Sequence, residues 1–237
     1  MSDVCVVIPW RAMPARKWAY REVTSFYHKH FPDYPVYSVD TNDTYFNLAA
    51  ARNFGMEYAR QQGHTVVILT DADTIPIPAN IAKAVSLAQE APGVVLPYTE
   101  YHSLGLHGTN AYREGVLPEH CPSFIVESAC SGVYVSTPDT WATHYGQDIR
   151  FRGWGYEDSA WECAHATLIG PIRRITGNVY SFHHPSQRKE GKQFTLNAAL
   201  CYRYLEARSD PEQMKALCQE QHIGHVAVKG KVVEQHG

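Results

Sequence analysis

Three strand-sized apolar runs constrain this chain more than any other feature: Val4 to Pro9, Pro35 to Val39, and Thr65 to Thr70. Each is short, and Val4 to Pro9 is continuous rather than alternating, the pattern of a strand buried on both faces of a parallel sheet. Segments of helix length lie between them. Arg16 to His30 is mixed and aromatic-rich. Phe46, Ala50, Phe54 and Tyr58 recur every fourth residue on one helical face, and Gly63 supplies a stop. A further helix carries Ile81, Ala84, Val85 and Ala88, and Val94 to Pro97 is a fourth strand. Strand and helix alternating at this spacing predict βαβ units: an α/β fold with a mostly parallel central sheet flanked by helices.

The second half is less regular. Residues 98–128 contain Gly, Pro, His and Tyr without periodicity, as functional or mobile segments do. Gly132 to Ser136 returns to strand, Trp161, Ala164 and Leu168 mark a helix beginning near Glu157, and Ile172 to Phe182 reads as one more strand. Lys192 to Arg208 and Pro211 to Gln221 read as helices. With no internal repeat and no low-complexity linker, the expectation is a single domain over residues 1–190, divided into halves at 1–97 and 98–190, with a helical extension over 191–237. No apolar run approaches the ~20 residues that span a bilayer, and the N-terminus has no signal-peptide pattern, so a cytoplasmic protein is expected. The six cysteines are scattered without a CxxC pair, which favours free thiols. A net charge of −3 argues weakly against a nucleic-acid partner.

Three local signals carry chemistry. The first is the run Val66 to Leu69 followed by Thr70-Asp71-Ala72-Asp73-Thr74-Ile75-Pro76. It places two carboxylates at the C-terminal end of a buried strand, where open α/β sheets bind ligands. Carboxylates there suit a hard divalent cation and, through it, a diphosphate; the plainer reading is a polar turn with Asx bonds. The second is Gly153-Trp154-Gly155-Tyr156-Glu157-Asp158, an aromatic between glycines and then two acids opening a helix. Acids in a first turn also complement the helix dipole. A rigid ring beside a carboxylate makes a sugar platform next to a base. The third is His183-His184-Pro185 at a strand end, followed by Gln187-Arg188-Lys189. Combined with the paired aspartates, this histidine pair is a candidate metal ligand.

These signals, in this order, resemble the nucleotide-sugar glycosyltransferases of the GT-A fold, and most of all the β-1,4-galactosyltransferases, the chondroitin-polymerase type and the polypeptide N-acetylgalactosaminyltransferases. The likeness runs from about Val4 to about Lys189. The family's strand ending Pro-Phe-Arg is Pro9-Trp10-Arg11 here, its Phe-Asn is Phe46-Asn47, and its Asn-x-Gly helix is Asn53-Phe54-Gly55. Its Asp-Val-Asp-x-Ile-Pro is Asp71 to Pro76, and its Gly-Trp-Gly-Gly-Glu-Asp is Gly153 to Asp158. Its metal-binding histidine matches His184. Two positions depart: Tyr156 stands where the family has glycine, and Ser181 where it has a methionine ligand. Without the stem and anchor of the Golgi enzymes, the chain resembles a bare catalytic domain of bacterial or viral type.

The resemblance implies a GT-A fold, a UDP-sugar donor and a divalent cation, Mn²⁺ or another such as Mg²⁺. It makes residues 1–97 the nucleotide-binding half and 98–190 the acceptor and catalytic half. Asp73 and His184 would hold the cation, and Asp71, with Ala72 beside it, would face the donor. Asp158 would be the general base of an inverting transfer to an acceptor hydroxyl, with Glu157 bonding sugar hydroxyls and Trp154 forming an apolar wall. Pro9, Trp10 and Arg11 would line the nucleotide, with Arg11 reaching phosphate and Asp40 reading the uracil edge. Phe46 would stack on the base, Arg52 would bond base or phosphate, and Arg188 would close over the phosphates. The acceptor could be a glycan, a protein side chain, a small molecule or a modified DNA base. Rival readings are a retaining transferase of the same fold, a nucleotidyltransferase, which would want a Gly-rich loop with a lysine near the N-terminus, and a non-catalytic sugar-nucleotide-binding protein.

Overall fold

The computed structural model describes residues 2–185, 190–222 and 230–236. Its elements in order are β1 (Val4–Pro9), α1 (Lys17–His30), β2 (Val36–Thr41), α2 (Leu48–Gln61), β3 (Val66–Thr70), β4 (Thr74–Pro76), α3 (Pro78–Glu90), β5 (Val95–Leu96), β6 (Glu100–Ser103), α4 (Gly105–Arg113), β7 (Phe124–Ile125), β8 (Val133–Ser136), α5 (Pro138–Thr143), α6 (Glu157–Leu168), β9 (Arg173–Arg174), β10 (Asn178–Ser181), α7 (Lys192–Ala207), α8 (Pro211–Gln219) and β11 (Gly230–His236). The principal sheet has the order β11-β2-β1-β3-β8-β5-β9. The strands β1, β2, β3, β5 and β9 share one direction, and β8 and β11 oppose it. The sheet is thus mostly parallel, as the apolar runs predict. β1, β2 and β3 are buried along their whole length.

Helix α2 crosses close to β1. A side chain at Gly55 would run into Val7, so only glycine permits this approach. The helix starts later than its apolar stripe suggests. Asn47 caps it by accepting the Ala50 N–H at 2.9 Å, which leaves Phe46 outside the helix. Residues 98–128 are not one irregular segment but β6, α4 and β7 joined by turns. The stretch Ile172 to Phe182 is two short strands separated by a turn in which Gly177 has φ +141. The C-terminal extension is helical through α7 and α8 and then differs from expectation, because β11 returns to pair antiparallel with β2.

A second, four-stranded sheet, β4-β10-β6-β7, positions the site. The chain leaves the large sheet at Thr70 and enters the small one at Thr74, so Asp71 to Asp73 sit at the junction. β10 pairs antiparallel with β4, with Ser181 opposite Thr74. The Phe182 N–H then donates to the Asp73 carbonyl at 2.8 Å. This pairing carries His184 back to Asp73.

Candidate active site

His184 Nε2 lies 3.3 Å from Asp73 Oδ2. His183 is exposed, and its backbone N–H is held by Thr109 Oγ1, so of the histidine pair it is His184 that faces the carboxylate. A residue with no counterpart in the sequence reading enters here. Arg16 Nη2 stands 2.9 Å from His184 Nδ1 and 3.2 Å from Nε2, with Nη1 3.8 Å from Asp73 Oδ2.

A second cluster forms around Arg52, whose side chain is wholly buried. Its Nη2 donates to Asp71 Oδ1 at 2.6 Å; its Nη1 donates to Asp158 Oδ1 and to Gln147 Oε1, each at 2.9 Å. The guanidinium also lies over the Tyr134 ring, 5.0 Å from its centroid. Burial works against the charge of Arg52, but Asp71, Tyr134 and Asp158 outweigh it and hold the group well above its ordinary range. Asp71 and Arg52, expected on donor atoms, are therefore partnered with each other.

Asp158 Oδ1 accepts from Arg52, from the Tyr134 hydroxyl at 2.7 Å and, more weakly, from Gln147 at 3.4 Å. Burial pushes the Tyr134 phenol well above its ordinary range, so it remains a donor. Among the described residues no hydrogen bond uses Asp158 Oδ2. Neighbouring Glu157 is pushed up to about 7, first by burial and then by the charge of Asp158.

The loop before these acids is unusual in its backbone. Gly153 and Gly155 have positive φ, and so does Tyr156 at +74, a conformation costly for a side chain of that size. Helix α7 supports the loop from outside. Asn197 Nδ2 donates to the Arg152 and Gly155 carbonyls at 2.8 and 3.2 Å. Phe194 lies near-parallel to Trp154 and against Tyr156, with centroid distances of 6.2 and 5.1 Å. Trp154 and Tyr156 are each more than a third exposed. The C-terminal extension thus builds an aromatic surface beside Glu157.

At the end of β1, Trp10 is buried and stacks on Tyr20 with centroids 4.2 Å apart. Pro9 and Ala72 are also buried, the latter in the core. Arg11 binds both oxygens of Asp40 and donates to the carbonyls of Thr41, Asp43 and Thr44. Its guanidinium buckles the 41–44 turn rather than standing open for phosphate, and Asp40 is correspondingly engaged. Phe46 is half-buried, with its ring 5.6 Å from the Arg11 guanidinium. Arg188 lies outside the described residues.

A sheet-junction Asp-x-Asp, a histidine returned to it by an antiparallel strand, and a Trp loop opening onto two acids in the first turn of α6 sit on a fold of the GT-A glycosyltransferase type. Residues 19–125 match the family described as Glycosyl transferase family 2. Comparison with curated proteins gives no match. The chain is similar in structure to the catalytic domain of Drosophila β1,4-galactosyltransferase 7 in complex with xylobiose, at 17% identity over 82% of this chain and 79% of that one, with a TM-score of 0.54. It is similar also to a mutant of that enzyme in complex with manganese, UDP-Gal and xylobiose (16% identity, 82% and 78% covered, TM-score 0.53). A third similar structure is GalNAc-T7 with UDP, GalNAc and Mn²⁺ (10% identity, 92% and 55% covered, TM-score 0.51). Among the described residues no helix is long and apolar enough to cross a membrane.

Proposed function

We propose that the protein transfers a sugar from a UDP-sugar to an acceptor hydroxyl with inversion, using Asp158 as general base and a divalent cation, Mn²⁺ or Mg²⁺, held by Asp73 and His184. The observation that carries the reading is the approach of His184 Nε2 to Asp73 Oδ2 at 3.3 Å. Two adjacent ligands ~2.1 Å from one octahedral ion stand ~3 Å apart, so the pair fits such an ion, with phosphate and water for the remaining positions. A carboxylate with an imidazole suits Mn²⁺ better than Ca²⁺. When bound, the cation supplies Lewis-acid stabilisation of the departing diphosphate.

The protein's own contribution is clearest at Asp158. Three donors fix Oδ1, which orients the carboxylate and leaves Oδ2 to accept the acceptor's proton. A base positioned on the face opposite the leaving group gives direct displacement and inversion, by the geometric logic that separates inverting from retaining hydrolases. Glu157, titrating near neutrality, offers both a donor and an acceptor to sugar hydroxyls. Trp154, Tyr156 and Phe194 supply an apolar surface suited to a sugar ring face, which favours a glycan over a nucleic-acid acceptor. On the nucleotide side, the Arg11–Asp40 pair shapes the 41–44 turn, and Phe46 offers a ring to the base. A cytoplasmic setting is part of the proposal, supported by six free cysteines.

The test is a panel of radiolabelled UDP-sugars incubated with the protein, with Mn²⁺ or with chelator. Metal-dependent release of sugar from at least one donor is expected. Metal-independent release, or none from any donor together with no UDP binding, would contradict the reading.

A further inference from the structure

The position of Arg16 has a consequence for how the proposed site fills. Its guanidinium touches both groups assigned to the cation, reaching His184 Nδ1 at 2.9 Å, Nε2 at 3.2 Å and Asp73 Oδ2 at 3.8 Å. Among the described residues Asp73 and His184 are its only partners. About a third of its side chain is exposed, so it is free to swing. A ring nitrogen that accepts an arginine N–H has its lone pair engaged, and a metal needs that lone pair. A guanidinium and a divalent cation would also repel strongly at contact distance. The two cations cannot share Asp73 and His184.

We infer that Arg16 occupies the cation position in the ligand-free protein and moves to the diphosphate when metal binds, so that metal and nucleotide binding are coupled through this side chain. Among the described residues, the destination follows from elimination on the donor side. Arg11 is committed to Asp40 and three backbone carbonyls, and Arg52 is buried between Asp71 and Asp158. Of the three arginines, Arg16 is the one beside the metal pair that can exchange partners. An incoming diphosphate offers it a bidentate anion in place of the carboxylate it gives up. Metal alone must displace Arg16 into water, whereas metal with nucleotide displaces it onto phosphate. UDP therefore tightens metal binding, and by reciprocity metal tightens UDP.

The inference rests on the metal site proposed above, and the experiment separates the two. Mn²⁺ is titrated calorimetrically into the full chain, wild type and Arg16→Gln, without and with saturating UDP. In the wild type, UDP should tighten Mn²⁺ by about tenfold or more. In Arg16→Gln, Mn²⁺ alone should bind several-fold tighter than to wild type, and the enhancement by UDP should shrink several-fold. Arg16→Met, of similar length and without charge, should give the same two changes if the Gln variant folds poorly. Unchanged or weaker Mn²⁺ binding without nucleotide in the variant, with wild-type coupling intact, overturns the role of Arg16 and leaves the metal site standing. A wild type that binds no Mn²⁺ with or without UDP overturns the site itself.

Discussion

Two arginines each gather groups from distant parts of the chain, in opposite surroundings. Arg52 projects from α2 into a fully buried position and ties Asp71 to Asp158 and Gln147. Arg16, just ahead of α1, is about one third exposed and ties Asp73 to His184. The contacts are chemically alike, yet burial assigns them different work. Removing an acidic partner leaves the wholly buried Arg52 charge uncompensated, so the Arg52 cluster is fixed framework. Arg16 can trade its partners for water or phosphate at little cost. Carboxylates only two residues apart, Asp71 and Asp73, thus serve different arginines: one is tied through Arg52 to the candidate base, the other faces Arg16 and His184.

The largest effect should come from breaking the buried side. Arg52→Met should cost about 2–3 kcal/mol in urea unfolding, because Asp71 and Asp158, each about a quarter exposed, lose their shared cation. A loss below about 1 kcal/mol would place Arg52 with Arg16 as a replaceable partner. At the metal pair, Asp73→Ala and His184→Ala should remove the metal dependence of UDP binding. That change should read as at least tenfold, about 1.4 kcal/mol, in calorimetry with and without Mn²⁺. Metal-dependent binding that survives in both variants would sink the assignment.

Glu157 lies between these extremes and responds to pH. Its carboxyl is raised from 4.5 to about 7, so the folded chain holds this proton more tightly than the unfolded chain does. Stability from this group is therefore greatest at low pH and falls as pH rises from about 4.5 to 7. Glu157→Gln should flatten that fall and stabilise the protein above pH 7 by up to about 2 kcal/mol, partial exposure keeping the gain below the full shift. Urea melts at pH 5 and pH 8 would show it, and identical pH profiles for the two proteins would contradict it. The smallest effect is expected at Asn197→Ala, which removes two carbonyl contacts from the Trp loop and should cost about 1 kcal/mol.

The same division explains what was legible in the sequence. β1 and β3 are readable because complete burial leaves continuous apolar runs, and β2 because it is short and rich in Val and Tyr. Residues 98–128 hid their elements because β6 and β7 are short and partly exposed, and so carry no repeating apolar face. β11, Gly-Lys-Val-Val-Glu-Gln-His, is an edge strand too polar to announce itself. At the candidate site, the acids and His184 stand out because their motifs are local in sequence. Arg16 and Tyr134 do not, since each meets its partners only through the fold. Gln147 is placed by Asn53, whose side chain binds the Gln147 N–H and carbonyl at 2.9 and 2.7 Å. That contact gives the Asn-x-Gly motif a physical role that spacing alone does not reveal. Spacing puts Phe46 on a helical stripe, but the Asn47 cap leaves it outside the helix.

The account stands most directly on Asp158, whose Oδ1 is anchored so that Oδ2 can take a proton. Asp158→Asn keeps the shape of the side chain and an Oδ1 for Arg52, Tyr134 and Gln147, and removes the base together with one charge of the Arg52 network, so its urea stability is measured alongside. Steady-state sugar transfer by this variant, measured beside its UDP affinity, is the deciding experiment. The account predicts unaltered UDP binding with transfer slowed by ~10²-fold or more. Transfer near the wild-type rate, with UDP bound equally well, would contradict it.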